Sequence, residues 1–185
     1  MLPDRFCGLE AGDINREELC MLFHAHLMHN SSDATRSVKV AYPAWLMAEA
    51  RDAWKQQVRD DNTVSDAQRE LARVIAELGV SNELERLTDD GYFSMDIYLP
   101  EYDVAVEFDG LSHYYHNSTD SSSSTSRDAS MTRTAKTELR DLFLAKQCAK
   151  VVTVPYFEFD RVMNSPEKLR LYVKEKLAQD AGIVV

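Results

Sequence analysis

The stretch FSMDIYLPEYDVAVEFDGLSHYYH, residues 93–116, decides the fold that this sequence predicts. Two strand-like runs, 93–99 and 104–108, are rich in apolar and β-branched or aromatic side chains. The short polar segment 100–103 separates them, and this pattern is typical of a β-hairpin. We therefore expect the rest of the chain to build a frame around two antiparallel strands.

Three carboxylates interrupt these apolar runs. Glu107 and Asp109 are two residues apart, so they share one face of their strand, and pairing of the strands brings Asp96 beside that face. Carboxylates are costly to bury unless something compensates their charge. A divalent metal ion, a basic partner or a helix N-terminus would each do so. The sequence predicts that the three converge at one end of a mixed sheet.

Composition excludes several classes of protein. The 185 residues include 44% hydrophobic ones, which suits one domain with an extension. The cysteines form no C-x-x-C pair, which argues against a disulfide scaffold or a zinc ribbon and favours a reducing compartment. No apolar run approaches the roughly 20 residues of a membrane helix, and the acidic N-terminal segment resembles neither a signal nor a transit peptide. We expect no membrane partner.

The charge is negative but uneven along the chain. A net charge of −10 argues against strong autonomous binding of nucleic acid, which depends on neutralising phosphates. Residues 81–130 contain 11 acidic and 2 basic side chains, whereas residues 131–185 contain 10 basic and 7 acidic ones. The basic third is therefore the part expected to meet phosphate, and the acidic block binds cations or is simply solvated.

The remaining pattern predicts two parts. Residues 1–61 form a helical N-terminal extension, and whether it ends a helical repeat stays open. Residues 62–185 form an α/β domain with a mobile, serine-rich insertion at 117–131. Periodicity and capping residues predict helices at 16–29, 43–59, 66–78, 133–146 and 166–179, and further strands at 83–87 and 149–155.

Three segments, 93–114, 137–160 and 168–177, resemble the RAP domain, over about residues 62–178 of the chain. The name stands for RNA-binding and abundance in apicomplexans. The resemblance implies a restriction-endonuclease-like core of helix, small mixed sheet, helix, strand and helix, similar to that of the PD-(D/E)xK nucleases. In such nucleases, carboxylates hold Mg²⁺, which activates the attacking water.

Carried over to this chain, the nuclease pattern assigns the acids Glu70, Asp96 and Glu107, and it places Asp109 where the lysine is expected. His113 is the candidate base. Because an anion replaces the lysine, we expect no robust catalysis and no required cofactor. Mg²⁺ bound by Asp96, Glu107 and Asp109 remains the alternative, with the chain then a metal-dependent endonuclease.

The RAP resemblance also implies binding of organellar RNA, a transcript or rRNA, in RNA processing, stability or ribosome assembly. It places the protein in the mitochondrion, or alternatively the plastid, together with other proteins of a ribonucleoprotein. Arg133, Lys136 and Arg140 are spaced about one helical turn apart and are predicted to face phosphates, with Tyr114 stacking on a base. A structural subunit of an assembly such as the mitoribosome is a further alternative.

Overall fold

The computed structural model describes residues 12–31, 42–61, 63–115 and 132–185. The chain divides into two compact units, Met1–Asn62 and Thr63–Val185. The serine-rich insertion predicted at 117–131 lies outside the described residues. No helix in the described ranges is long and apolar enough to cross a membrane.

The first unit contains helices α1 (Arg16–Ser31) and α2 (Ala44–Asp60). Asn15 begins α1, since its side chain accepts a hydrogen bond from the Glu18 N–H at 3.0 Å. Arg16 at the start of α1 pairs with Asp60 at the end of α2, at 2.6 Å, so the helices run antiparallel. Their buried side chains include Phe23, Leu46 and Trp54. The helical N-terminal part is as predicted.

The second unit confirms the α/β class. Its helices and strands follow the order α3 (Asp66–Glu77), β1 (Glu83–Leu87), β2 (Ser94–Leu99), β3 (Val104–Asp109), α4 (Ala135–Leu144), β4 (Lys150–Pro155), α5 (Tyr156–Val162) and α6 (Pro166–Lys176). In the described residues the strands form one sheet of order β1-β2-β3-β4. Strand β2 pairs antiparallel with both β1 and β3, and β4 pairs parallel with β3.

Helix α5 is the main difference from the sequence prediction, which left residues 156–162 outside any helix. The helix has only 7 residues. A segment of this length is too short to show the helical period, which becomes visible over about 11–18 residues. Pro155 at its N-cap also ends β4, so the chain passes from strand to helix without a loop.

The hydrophobic core lies on one face of the sheet, beneath α3, α5 and α6. Val106 of β3 aligns with Ile97 of β2 and with Val152 of β4. The helices bury their apolar side chains in the same cluster, among them Leu71, Ile75, Phe159, Leu169 and Val173. Burying an aliphatic or aromatic side chain contributes about 1.5–3 kcal/mol, so this layer holds the sheet in place.

The opposite face carries the polar side chains. Alternation along β3 turns Ala105, Glu107 and Asp109 away from the core face. Helix α4 covers this side, since Arg140 contacts both acids and Phe143 stacks on Phe93 with ring centroids 5.2 Å apart. Two carboxylates are therefore enclosed between β3 and α4.

Candidate functional site

The site begins where strands β2 and β3 separate. Their pairing runs from Leu99 opposite Val104 to Ile97 opposite Val106. Beyond Ile97 and Val106, hydrogen bonds from side chains to the backbone connect the two strands. Glu107 Oε1 accepts the Asp96 N–H at 3.2 Å, and Asp96 Oδ2 accepts the Phe108 N–H at 2.7 Å. The two acids thus supply acceptors for backbone groups that the separated strands would leave unpaired.

A third acid extends this arrangement across the sheet. The β1–β2 register places Glu85 opposite Asp96, so Glu85, Asp96 and Glu107 follow one another on three neighbouring strands. Glu85 has a φ of 51°, which is uncommon for a residue other than glycine. Its carboxylate accepts hydrogen bonds from Ser94 Oγ at 2.9 Å and Gln68 Nε2 at 3.4 Å.

Burial raises the pKa of all three acids in this row. It raises the pKa of Glu107 well above the ordinary range, although Arg140 opposes the shift. Burial likewise raises the pKa of Asp96, against the hydrogen bond from the Phe108 N–H, and the pKa of Glu85, against the bond from Ser94. The row therefore binds protons more readily than free carboxylates do.

Asp109 lies beyond the row and contacts two arginines and a histidine. Its Oδ1 contacts Arg140 Nη2 at 2.8 Å and His113 Nδ1 at 3.2 Å, and its Oδ2 contacts Arg133 Nη2 at 2.7 Å. Burial favours its neutral form, but His113, Arg140 and Arg133 together lower the pKa of Asp109 to about 2. Asp109 is thus a permanent anion at neutral pH.

The two arginines are also held from the other side. Asp141 contacts Arg140 at 3.0 Å and Arg133 at 2.6 Å, so Arg133, Asp109, Arg140 and Asp141 form a closed ring of ion pairs. Burial lowers the pKa of Arg140, but Glu107, Asp141 and Asp109 raise it by more. Both guanidinium groups stay charged.

Local backbone contacts explain why the cations reach Asp109. After β3 the chain makes a short 3-10 turn, Leu111–His113. The His113 carbonyl then accepts the Thr134 N–H at 2.8 Å, and Tyr114 forms an isolated β-bridge with Arg133. Thr134 caps α4. The start of α4 is therefore fixed beside the end of β3.

The structure corrects the assignment of an acid on α3. Glu70 pairs with Arg73 at 2.6 Å, and its side chain is 40% exposed. The α3 side chain that reaches the carboxylates is Gln68, which is buried and bonds Glu85. Two positions on a helix differ by about 200°, so Glu70 faces away from the site that Gln68 enters.

The residues predicted to bind RNA occupy different surroundings. Arg133 and Arg140 face the carboxylates, whereas Lys136 is exposed on α4. Tyr114 is only 6% exposed and packs edge-on against Tyr156 and Phe157. A buried ring of this kind has no free face for a base. Their role in RNA binding stays a prediction.

Sequence reasoning missed Gln68, Glu85 and Asp141. The position of Glu85 depends on the β1–β2 register, and that of Gln68 depends on the rotation of α3, and neither feature can be read from the sequence. Asp141 directly follows Arg140 in the sequence. Buried carboxylates require a compensating positive charge, and this requirement is the one sequence signal for the contacts that Arg133 and Arg140 make with them.

This arrangement of donors does not fit Mg²⁺. The oxygens that would bind the ion already contact Arg140, Arg133 and His113, and an ion bridging Glu107 and Asp109 would have to displace the Arg140 guanidinium. Among the described residues, no group of three His, Cys, Asp or Glu side chains is arranged to hold a metal ion.

Part of the chain matches a known protein family. The model of the RAP domain family matches residues 106–176, from the middle of β3 to the end of α6. The matched segment includes Glu107, Asp109, Arg133 and Arg140, while α3, β1 and β2 precede it. Comparisons with curated proteins and with solved structures found no match.

Proposed function

Because residues 106–176 match the model of the RAP domain family, we propose that this chain binds RNA as part of an organellar ribonucleoprotein. RAP domains are generally associated with RNA binding, and the family match is the observation that carries the proposal. The proposed setting is RNA processing, RNA stability or ribosome assembly, in the mitochondrion or alternatively the plastid. The partners are a transcript or rRNA and other proteins of the assembly.

We place the RNA surface at the carboxyl ends of β3 and β4. Ligands of open α/β sheets commonly bind outside the carboxyl ends of parallel strands. Tyr115, which follows β3, is 52% exposed, and Tyr156 and Phe157, which follow β4, are partly exposed. Exposed aromatic rings stack on unpaired bases, and Lys136 at the start of α4 is an exposed cation suited to a phosphate.

The acidic charge favours a single-stranded or looped RNA segment as the ligand. With a net charge of −10, phosphate neutralisation alone gives weak binding. Stacking on aromatic side chains depends less on charge and contributes about 1–3 kcal/mol per base. Unpaired bases are accessible in loops and ends, whereas a duplex hides them.

The test is fluorescence anisotropy of labelled single-stranded RNA across a salt series. We expect Tyr115→Ala to weaken binding, and Lys136→Gln to weaken it and lower the salt slope by about 1. Lys168→Gln is the matched control, because it removes the same charge from an exposed position on α6. Equal losses for Lys136→Gln and Lys168→Gln would place the RNA surface elsewhere.

A metal-dependent endonuclease is the second candidate. One observation favours it: Asp96, Glu107 and Asp109 do lie together, on neighbouring strands. We nevertheless propose binding without cleavage, because Arg140 and Arg133 already compensate the acids. Cleavage of RNA in Mg²⁺ or Mn²⁺ that disappears in both Glu107→Gln and Asp109→Asn would favour the endonuclease. No RNA binding by the purified chain would favour a structural subunit.

A further inference from the structure

One guanidinium group lies between two buried carboxylates. Arg140 contacts Glu107 Oε2 through Nε at 3.2 Å and Asp109 Oδ1 through Nη2 at 2.8 Å. Both acids are 0% exposed, and the Arg140 side chain is 14% exposed. The two carboxylates therefore face the same guanidinium between β3 and α4.

The carboxylates also retain binding capacity. Glu107 Oε2 and Asp109 Oδ2 are buried and accept no hydrogen bond, although each makes an ion pair with an arginine. A carboxylate oxygen has lone pairs for more than one partner. The two acids thus present oxygens that a hard divalent cation prefers, and Arg140 occupies the space between them.

We propose that Arg140 is the permanent counter-ion of this site and takes the place of a divalent cation. Removing its side chain should convert Glu107 and Asp109 into a binding site for Mn²⁺ or Mg²⁺. The proposal concerns the chain's own charges and does not depend on RNA binding.

Electrostatic repulsion by Arg140 and Arg133 explains why the intact site excludes a divalent ion. The ion would meet Arg140 and Arg133 at contact distance from the same carboxylates. Arginine does not lose its proton in proteins, so the repulsion persists at every physiological pH. Asp141 holds both guanidinium groups and keeps them from turning away.

Loss of the Arg140 side chain removes one of the two guanidinium groups that repel a divalent ion. Glu107 and Asp109 would then face the single nearby guanidinium of Arg133. The volume vacated by the guanidinium admits an ion that keeps several waters, as Mg²⁺ and Mn²⁺ do when one or two carboxylates bind them. A purely structural Arg140 would instead leave a destabilised protein that does not respond to metal.

Thermal unfolding with and without Mn²⁺ distinguishes these two roles. For Arg140→Ala we expect the melting temperature to rise by about 5–10 °C at a Mn²⁺ concentration near 100 times Kd. The wild-type chain should show no rise. Arg140→Lys retains a cation and should not respond, and Arg140→Ala combined with Glu107→Gln should lose the response.

Arg73→Ala controls for nonspecific binding, since Arg73 also pairs with two acids, Glu70 and Glu77, but on the exposed surface of α3. It should show no rise. A Mn²⁺ response in the wild-type chain that Glu107→Gln removes would overturn the proposal, as would a folded Arg140→Ala that ignores Mn²⁺. If Arg140→Ala unfolds without metal, recovery of the fold in Mn²⁺ supports the proposal, and failure to recover contradicts it.

Discussion

Glu107 and Asp109 show how the surroundings of a residue decide its chemistry. The two acids share one strand face and are both fully buried. Burial raises the pKa of Glu107, yet a hydrogen bond from His113 and the charges of Arg140 and Arg133 lower the pKa of Asp109 to about 2. The difference follows from the number of contacts, because Glu107 touches only Arg140, while Asp109 touches Arg140, Arg133 and the His113 ring.

At the residue scale, Asp109→Asn should destabilise the protein by about 3–5 kcal/mol at neutral pH, because two partly buried arginines lose a shared, fully buried anion. The pKa of Asp109 is depressed from 3.8 to about 2, so its contribution is present above the unfolded pKa and lost as pH falls through about 2. Urea unfolding of both proteins should show their difference shrinking between about pH 4 and pH 2. A difference that stays constant over this range would contradict the ion-pair account.

At the element scale, the separation of β2 from β3 is the feature that positions the acids. Strands that part leave backbone N–H groups without ladder partners, and Asp96 and Glu107 accept two of them. These carboxylates therefore stabilise the sheet whatever else they do.

Asp96→Leu tests this role. It leaves the Phe108 N–H without an acceptor, which should cost about 1–3 kcal/mol and speed hydrogen exchange of that amide. Asp96→Asn is the control, since its amide oxygen still accepts the bond and its neutral side chain does not repel Glu107. Exchange at Phe108 that is equally slow in both variants would show that the side chain does not hold the strands.

The elements also show which features the sequence could predict. The hairpin was predictable because its strands alternate and flank a polar turn, and α3 because Ser65 and Gln68 form a capping box before an apolar stripe. The rotation of α3 relative to the sheet has no such signal, so the sequence pattern points to Glu70, whereas Gln68 is the α3 side chain that enters the site. The closed ring of ion pairs requires α4 to cross β3, a tertiary arrangement without a local sequence signal.

At the scale of the whole molecule, charge is distributed unevenly. Two buried acids of the hairpin, Glu107 and Asp109, are compensated by arginines from the basic third of the chain, Arg133 and Arg140. Those two arginines are thus occupied by the chain itself, and exposed groups such as Lys136 remain to meet phosphate. This division explains how an acidic chain can combine a self-contained ion-pair network with an RNA surface.

The most direct test of this account measures RNA affinity and RNA integrity in the same samples, once in EDTA and once in excess Mn²⁺. We predict equal RNA affinity in both samples and intact RNA throughout. Arg140 already compensates the charge of Glu107 and Asp109, so the site needs no metal ion. Binding that requires Mn²⁺, or cleavage that requires Mn²⁺ and disappears in both Glu107→Gln and Asp109→Asn, would contradict the account.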